Sequence, residues 1–258
     1  NKDRVLEEVK WNNVVNVDIG YWQVRIVAVR VGGVKLDVCN DGTCRGVVDT
    51  GTSHLGIPAP HNVEVAGMLA VNAGDLLDCR LARAPVVEIE LESINLTLGA
   101  ENYMRRLPLR EGVNVGSTNG VDLNSNGTQT LRNDTSSVDP TPWMDENQTN
   151  VTRHCTPRIM AVNIPEPVGP KLFILGEPVL HRYYSVYDWK GLQVGFSLAN
   201  NHRNTVLPGS QLPDARGTLP GEVDKLLMQQ SVVKSFDRDD LDSTYFSQIK
   251  ININIRDP

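Results

Sequence analysis

The sequence predicts an all-β fold with a few short helices. Short runs in which apolar and polar residues alternate recur along the chain, which is the pattern of half-buried strands. Glycine-rich turns separate these runs, as in small β-domains. The chain has 258 residues and is 40% hydrophobic, which is enough to bury a substantial core.

Four alternating runs predict strands. The first, residues 21–31, is followed by Gly32-Gly33, which predicts a hairpin turn. The second run follows that turn, and the other two lie within residues 87–98. The apolar faces are Trp22, Val24, Ile26 and Ala28; Val34, Leu36 and Val38; Val87, Ile89 and Leu91; and Ile94, Leu96 and Leu98.

Two helices are predicted between strands. One begins near residues 58–60 and continues toward Gly74, and the other opens at Glu177-Pro178, where proline and an acid suit a first helical turn. Aromatic residues dominate core energetics, so we expect the following aromatics in the core or sheets. They are Trp22, Tyr183, Tyr184 and Trp189.

Composition divides the chain into a domain, an insertion and an extension. Residues 1–199 form the predicted domain, interrupted at about 110–153 by a stretch rich in Asn, Ser, Thr, Gly and Asp. That composition predicts a long, mobile surface insertion. Residues 200–258 begin as a Pro/Gly-rich linker. They continue with a possible helix at 221–236 and a strictly alternating isoleucine strand at 249–255.

Four cysteines fit two disulfides, 39–44 and 79–155. Cys39 and Cys44 bracket a short turn, and only this close pair exists, whereas zinc sites favour two close pairs. His154 beside Cys155 leaves zinc as an alternative. The long bridge would stabilise the fold by roughly 4 kcal/mol.

Sequons and charge limit the compartment and the partners. Five Asn-x-Ser/Thr sequons favour a secretory route and glycosylation. The chain begins without Met, so we expect it to be cut from a longer protein. A net charge of −6 without a basic patch argues against nucleic acid. No apolar run is long enough to span a membrane. The sequons start at Asn95, Asn126, Asn133, Asn147 and Asn150.

One motif set resembles a known family. An apolar run ends in Asp49-Thr50-Gly51-Thr52-Ser53, preceded by Tyr-Trp-Gln and the small cysteine loop. Farther along the chain lie Ile-Leu-Gly and Tyr-Tyr-x-Val-Tyr-Asp. This ordered set resembles the C-terminal lobe of pepsin-like aspartic proteases. The composition of the insertion also resembles protozoan, plasmepsin-like members.

The resemblance implies a bilobal enzyme with one catalytic aspartate in each lobe. Two nearby carboxylates share a proton, and together they activate water against a peptide carbonyl without a cofactor or metal. No second Asp-Thr/Ser-Gly occurs in this sequence. The expected partner is therefore an N-terminal lobe, in the same precursor or as a separate chain, and the expected substrate is a polypeptide.

The resemblance assigns roles around Asp49. Thr50 would bind the partner loop, the Gly51 amide and Thr52 hydroxyl would hold the carboxylate, and Ser53 completes the motif. A hydrophobic segment ending in glycine would pack beneath the loop. It comprises Ile174, Leu175 and Gly176.

Four further residues are candidates near substrate pockets. They are Tyr103, Val162, Ile164 and His54. His54 stands where the family usually has an apolar residue. It could tune pH dependence, although a solvated loop residue is the favoured interpretation. Glu177 replaces the usual aspartate at the helix start.

Three functions are compatible with these residues. The favoured one is an endopeptidase lobe, inactive alone, inhibited by pepstatin when complete, and located in an endolysosomal or vacuolar organelle or outside the cell. The others are a non-catalytic pepsin-like binding module and a homodimer in which two copies of Asp49 form the site.

Overall fold

A computed structural model describes residues 2–110, 152–205 and 216–217, and the backbone of two short strands at 122–123 and 129–130. The strands are β1 (Lys10–Asn13), β2 (Gln23–Val31), β3 (Val34–Lys35), β4 (Arg45–Val48), β5 (Leu55–Pro58), β6 (Val71–Asn72), β7 (Val87–Leu91), β8 (Asn95–Leu98), β9 (Leu109–Arg110), β10 (Asp122–Leu123), β11 (Gln129–Thr130), β12 (Arg153–Cys155), β13 (Ile159–Val162), β14 (Leu172–Leu175), β15 (Tyr183–Asp188) and β16 (Gln193–Leu198).

The strands confirm the predicted all-β class. The main sheet has the order β13-β5-β14-β4-β2-β7-β8, with β3 paired to β2. Two three-stranded sheets have the orders β1-β16-β15 and β6-β12-β9, and β10 pairs with β11. The four α-helices among the described residues are short. They are α1 (His61–Leu69), α2 (Ala100–Tyr103), α3 (Glu177–Leu180) and α4 (His202–Thr205).

Strand β2 changes face in its middle. Val24, Ile26 and Ala28 are buried as predicted, and the register then shifts between Ile26 and Ala28, where Val27 is 40% exposed. A β-bulge places one extra residue in a strand, so the next residues change sides. Val29 and Val31 are therefore buried as well, which simple alternation did not predict.

The predicted hairpin forms, but its second strand is short. Gly32 and Gly33 have φ of 57° and 84°, the positive values that a two-residue hairpin turn requires. Val34 is 59% exposed, so its predicted place on a buried face is wrong. Leu36 and Val38 are buried because the chain turns inward through the 3₁₀ helix Asp37–Cys39.

Both predicted helices are present. Helix α1 ends at Leu69, before the predicted end near Gly74, and it buries Val65 and Leu69 while Val63 is 67% exposed. Helix α3 has its proline in the first turn and is a single turn long.

The aromatic residues divide between core and surface. Tyr183 is 5% exposed, and its hydroxyl accepts a hydrogen bond from the Thr97 amide at 2.8 Å. Trp22 contacts both Tyr187 and Trp189 edge-on, with ring centroids 5.2 Å and 5.3 Å apart. Trp189 is nevertheless 78% exposed, so its predicted place in the core is wrong. It follows the last residue of β15 and lies in the loop before β16.

Both predicted disulfides are present. Cys39 is bonded to Cys44 and Cys79 to Cys155, which excludes the zinc alternative for these cysteines. Cys155 ends β12, which pairs with β6 on one side and β9 on the other. The long disulfide therefore joins the 3₁₀ helix Cys79–Leu81 to the small sheet from which the insertion departs.

Several predictions lie outside the described residues. These are the helix at 221–236, the strand at 249–255 and the four sequons from Asn126 onward. Asn95 is described. It is exposed at the start of β8, and its side-chain amide donates to Glu88 Oε2 at 3.1 Å. No helix in the described ranges is long and apolar enough to cross a membrane.

Candidate active site

Asp49 lies at the carboxyl end of a half-buried strand, in a turn that holds its side chain. It directly follows β4, and its own amide donates to the Leu175 carbonyl at 3.2 Å. The Gly51 amide donates to Oδ1 at 2.8 Å, and the Thr52 hydroxyl donates to Oδ2 at 2.5 Å. Both carboxylate oxygens of this aspartate turn, residues 49–52, therefore accept a hydrogen bond while Asp49 stays partly exposed.

Strand β14 supports the aspartate turn from below. It runs parallel to β4 and antiparallel to β5, so it lies between the strand that enters the turn and the strand that leaves it. Leu175 is fully buried, and Ile174 packs against Gly56 of β5 so closely that a side chain at Gly56 would clash. The apolar run of β14 thus anchors both sides of the turn in the core.

Gly176 makes the closest backbone contact beneath the turn. A Cβ atom at this position would lie 2.4 Å from the carbonyl oxygens of both Thr52 and His54. The next amide, Glu177 N, donates to the same Thr52 carbonyl at 2.8 Å. Only glycine fits here without moving the turn, which gives a physical reason for the Ile-Leu-Gly segment.

Thr50 and Ser53 are both exposed. Ser53 Oγ lies 2.9 Å from His54 Nδ1. The predicted contact of Thr50 with a loop of a partner lobe involves atoms outside this chain, and it stays a prediction.

Two of the predicted pocket residues lie in the core instead. Tyr103 is fully buried, its hydroxyl donates to the Pro85 carbonyl at 2.5 Å, and burial raises the pKa of its hydroxyl. Val162 is 3% exposed and packs against Gly56. Neither side chain faces a surface open to a substrate, so both predictions are corrected. Ile164 is partly exposed, and its place in a pocket stays a prediction.

His54 is not the solvated loop residue that the sequence favoured. Its ring is partly buried, and Nε2 lies 3.3 Å from Arg105 Nη2. Burial lowers the pKa of His54, and the charges of Arg105 and Arg158 lower it further, while Glu177 opposes them. Sequence analysis missed the two arginines because they lie about 50 and 100 residues from His54, and no local pattern connects them.

Metal ligands do not cluster near the turn. In the described ranges, no group of three or more His, Cys, Asp or Glu side chains is arranged to hold a metal ion. The chemistry that the turn offers is that of a held, partly exposed carboxylate.

Family comparison agrees with this geometry. A family model described as eukaryotic aspartyl protease matches residues 1–199. The chain belongs to this pepsin-like family of aspartic proteases. Its fold corresponds to one lobe of the family's bilobal architecture.

The similar proteins are named as proteases of animals and fungi. The chain is 26% identical to pepsin B of Canis lupus familiaris over 185 residues, which are 70% of this chain and 36% of pepsin B. It is 27% identical to cathepsin D of Clupea harengus over 182 residues, 69% of this chain and 35% of that protein. It is 28% identical to the probable vacuolar protease A of Arthroderma benhamiae over 184 residues, 69% of this chain and 34% of that protein. The chain thus spans about a third of the length of the curated relatives it matches.

Proposed function

We propose that this chain is one lobe of an aspartic endopeptidase and that Asp49 is one of its two catalytic aspartates. The observation that carries the proposal is the aspartate turn. Its carboxylate receives one hydrogen bond on each oxygen, and Asp49 remains partly exposed at the end of the half-buried strand β4. The second aspartate comes from an N-terminal lobe, in the same precursor or as a processed partner chain.

The chemistry follows from pairing two carboxylates. Two carboxyl groups in close contact cannot both ionise, so they share one proton and titrate as a unit. The ionised carboxylate removes a proton from water while the protonated one donates to the peptide carbonyl. Neither step can be completed by Asp49 alone, so the isolated chain is expected to be inactive.

Within this chain, the turn prepares Asp49 for that pairing. The Gly51 amide and the Thr52 hydroxyl each donate to one oxygen of the carboxylate, which fixes its plane. The Leu175 carbonyl accepts the Asp49 amide, and Gly176 lets the chain pass directly beneath Thr52 and His54, so the backbone of the turn is held against β14. Preorganised polar groups of this kind are a main source of transition-state stabilisation in enzymes.

The decisive experiment replaces Asp49 in the full-length protein. Asp49→Ala and the isosteric Asp49→Asn should each lower acid peptidase activity at least ~1,000-fold, because the acid–base pair is lost. Asp37→Asn is the matched control, since Asp37 is exposed and only accepts a bond from Asn40. Activity of either Asp49 variant within tenfold of wild type would overturn the assignment.

Two further measurements separate the alternatives. Pepstatin should bind the completed enzyme and not the 258-residue chain alone. Tight monomeric binding by the isolated chain would contradict the half-site argument. If the enzyme were a homodimer, this chain alone would be active and would sediment as a dimer. If the protein were a non-catalytic module, its gene would lack the second aspartate.

We infer a secretory route for this protein. Two disulfides require an oxidising compartment during folding, and the sequon at Asn95 is exposed for glycosylation. One relative is named as a vacuolar protease, which supports an endolysosomal, vacuolar or extracellular destination. Residence in a reducing cytosol with both cysteine pairs as free thiols would contradict this route.

A further inference from the structure

A basic cluster lies directly beside the aspartate turn. We define it as His54, Arg105, Arg158 and Glu177, four side chains from separate parts of the chain. Arg105 Nη2 lies 3.3 Å from His54 Nε2, and Arg158 Nη1 lies 3.0 Å from Glu177 Oε2. Thr52 connects the two regions, because its hydroxyl holds Asp49 and its carbonyl accepts the Glu177 amide.

The cluster carries more positive than negative charge. Glu177 is its single carboxylate, and both of its oxygens are engaged, Oε2 with Arg158 and Oε1 with His181 Nε2 at 3.5 Å. Arg158 is also committed elsewhere, because its Nη2 donates to the Asn102 carbonyl at 2.9 Å. Burial lowers the pKa of Arg105, the charge of Arg158 lowers it further, and no carboxylate among the described residues forms an ion pair with Arg105.

Arg105 has side-chain N–H groups that are not used by the described residues. Its side chain is partly buried, and Nη2 contacts His54, while Nε and Nη1 have no hydrogen-bond partner in the described part of the chain. Arg158 Nε is buried and has no hydrogen-bond partner. Arg105 Nε and Nη1, in contrast, are not buried in this way. A guanidinium binds a carboxylate through two parallel N–H groups on one edge. Nη2 carries two hydrogens and uses one toward His54, so its second hydrogen and the neighbouring hydrogen of Nε or Nη1 form such an edge.

His54 leaves the Ser53 hydroxyl available as another donor. Arg105 can only donate, so Nε2 of the neutral ring is the acceptor and Nδ1 carries the hydrogen. Nδ1 then donates to Ser53 Oγ, which frees the hydroxyl proton of this exposed serine. Serine and arginine donors thus flank the same histidine, next to the turn that holds Asp49.

We propose that Arg105, with Ser53 and His54, binds the carboxylate of an acidic ligand next to the aspartate turn. The ligand is an acidic side chain of the peptide substrate, and Arg105 is a specificity-determining residue. Identifying the ligand as a substrate rests on the proposed peptidase function, whereas the carboxylate site itself does not. The two parts are therefore tested separately.

The first test uses the 258-residue chain and needs no activity. The probe is N-acetylglutamate α-amide, and its uncharged match is N-acetylglutamine α-amide. A carboxylate on Arg105 places a negative charge beside His54, so the glutamate probe should raise the pKa of the His54 imidazole measured by NMR. The probe is used at about 50 mM, above the millimolar Kd expected for so small a ligand.

The two probes together decide the carboxylate site without any variant. A rise with the glutamate probe and none with the glutamine probe supports it, and equal responses or no response overturn it. Arg105→Gln should then abolish the response, while Arg106→Gln should keep it, because Arg106 instead faces Asp78 at 3.8 Å. A response that persists in Arg105→Gln would also overturn the site.

The second test measures specificity in the full-length protein. Peptides that differ only by Glu or Gln at each position around the cleaved bond are compared by kcat/KM. At one position, Arg105→Gln should lower the Glu-to-Gln preference about tenfold, while Arg106→Gln leaves it unchanged. An unchanged preference in an active Arg105→Gln enzyme overturns the substrate assignment. Absence of any cleavage by wild type would instead count against the proposed function.

Discussion

The aspartate turn and the basic cluster are adjacent polar regions with opposite charge balance. In the turn, one negative charge is met by two donors from residues two and three positions farther along the chain. In the cluster, the one carboxylate, Glu177, pairs with Arg158, while Arg105 contacts His54 from about 50 residues farther along the chain. The turn is thus complete within this chain, whereas the cluster still has unused donors.

The largest expected effect comes from the backbone contact that both regions share. Gly176→Ala would place Cβ 2.4 Å from the Thr52 and His54 carbonyl oxygens, so the turn and the cluster would both shift. We expect a loss of about 2–4 kcal/mol in the free energy of unfolding, measured by urea denaturation.

Gly67→Ala is the matched control for that substitution. Gly67 is exposed in helix α1, and a Cβ there would meet nothing within 4 Å. Alanine favours helices, so this variant should be neutral or more stable by up to ~1 kcal/mol. An equal loss in the free energy of unfolding at the two glycines would show that the close contact beneath the turn is not the cause of the destabilisation.

The next effect tests the turn alone. Thr52→Val keeps the shape of the side chain but removes the donor to Asp49 Oδ2. A hydrogen bond to a charged group is worth about 1.5–3 kcal/mol, so kcat/KM of the full-length protein should fall roughly 10–100-fold. Thr52→Ser retains the hydroxyl and should keep most activity. A Val variant as active as the Ser variant would remove Thr52 from the catalytic support.

A smaller effect tests the charge balance of the cluster. Because the pKa of His54 is lowered below its ordinary value of 6.5 in the folded chain, the unfolded chain binds this proton more readily. Stability from neutral His54 is therefore present above pH 6.5 and is lost as the pH falls through 6.5 toward the lowered value. His54→Gln, whose amide oxygen can still accept from Arg105, should lose less stability on acidification, measured by thermal unfolding between pH 7.5 and 5. Equal pH slopes for both proteins would contradict a lowered pKa of His54.

The smallest effect concerns an ion pair outside both regions. The hydrogen bond from Lys171 to Asp41, at 2.6 Å, is the main cause that lowers the pKa of Asp41 from 3.8 to about 2, and Thr43 contributes through its hydroxyl and amide. Lys171→Met should raise the pKa of Asp41, but not to its ordinary value, because both Thr43 contacts remain. A carboxyl NMR titration measures it. Since the folded pKa is low, the pair stabilises the fold above pH 3.8 and this contribution disappears as the pH falls through about 2. An unchanged titration would place Asp41 outside the influence of Lys171.

Features that depend on neighbouring residues were predictable from the sequence. The hairpin at Gly32-Gly33, the short disulfide and the aspartate turn each need only a few consecutive residues with particular backbone or donor properties. The alternating runs within residues 21–31 and 87–98 also form the predicted strands, because burial on one face imposes a period of two.

Features that depend on distant residues were not predictable. The bulge at Val27 arises from pairing with β7, and the burial of Val162 arises from its contact with Gly56. The basic cluster is the clearest case, because His54, Arg105 and Arg158 meet only after β5, β13 and the segment following α2 have assembled. Isolated histidines and arginines carry no period or spacing from which such a meeting could be inferred.

The disulfide between Cys79 and Cys155 has a consequence for proteolytic maturation. A single cut at any peptide bond between these two cysteines produces two fragments that remain one covalent molecule. If the cut lies between β9 and β12, strand β12 on the second fragment would still be paired with β6 and β9 on the first. A nicked protein would therefore run as one band on a non-reducing gel and as two bands after reduction. Only the reducing gel would reveal that a purified sample contains the two-chain form.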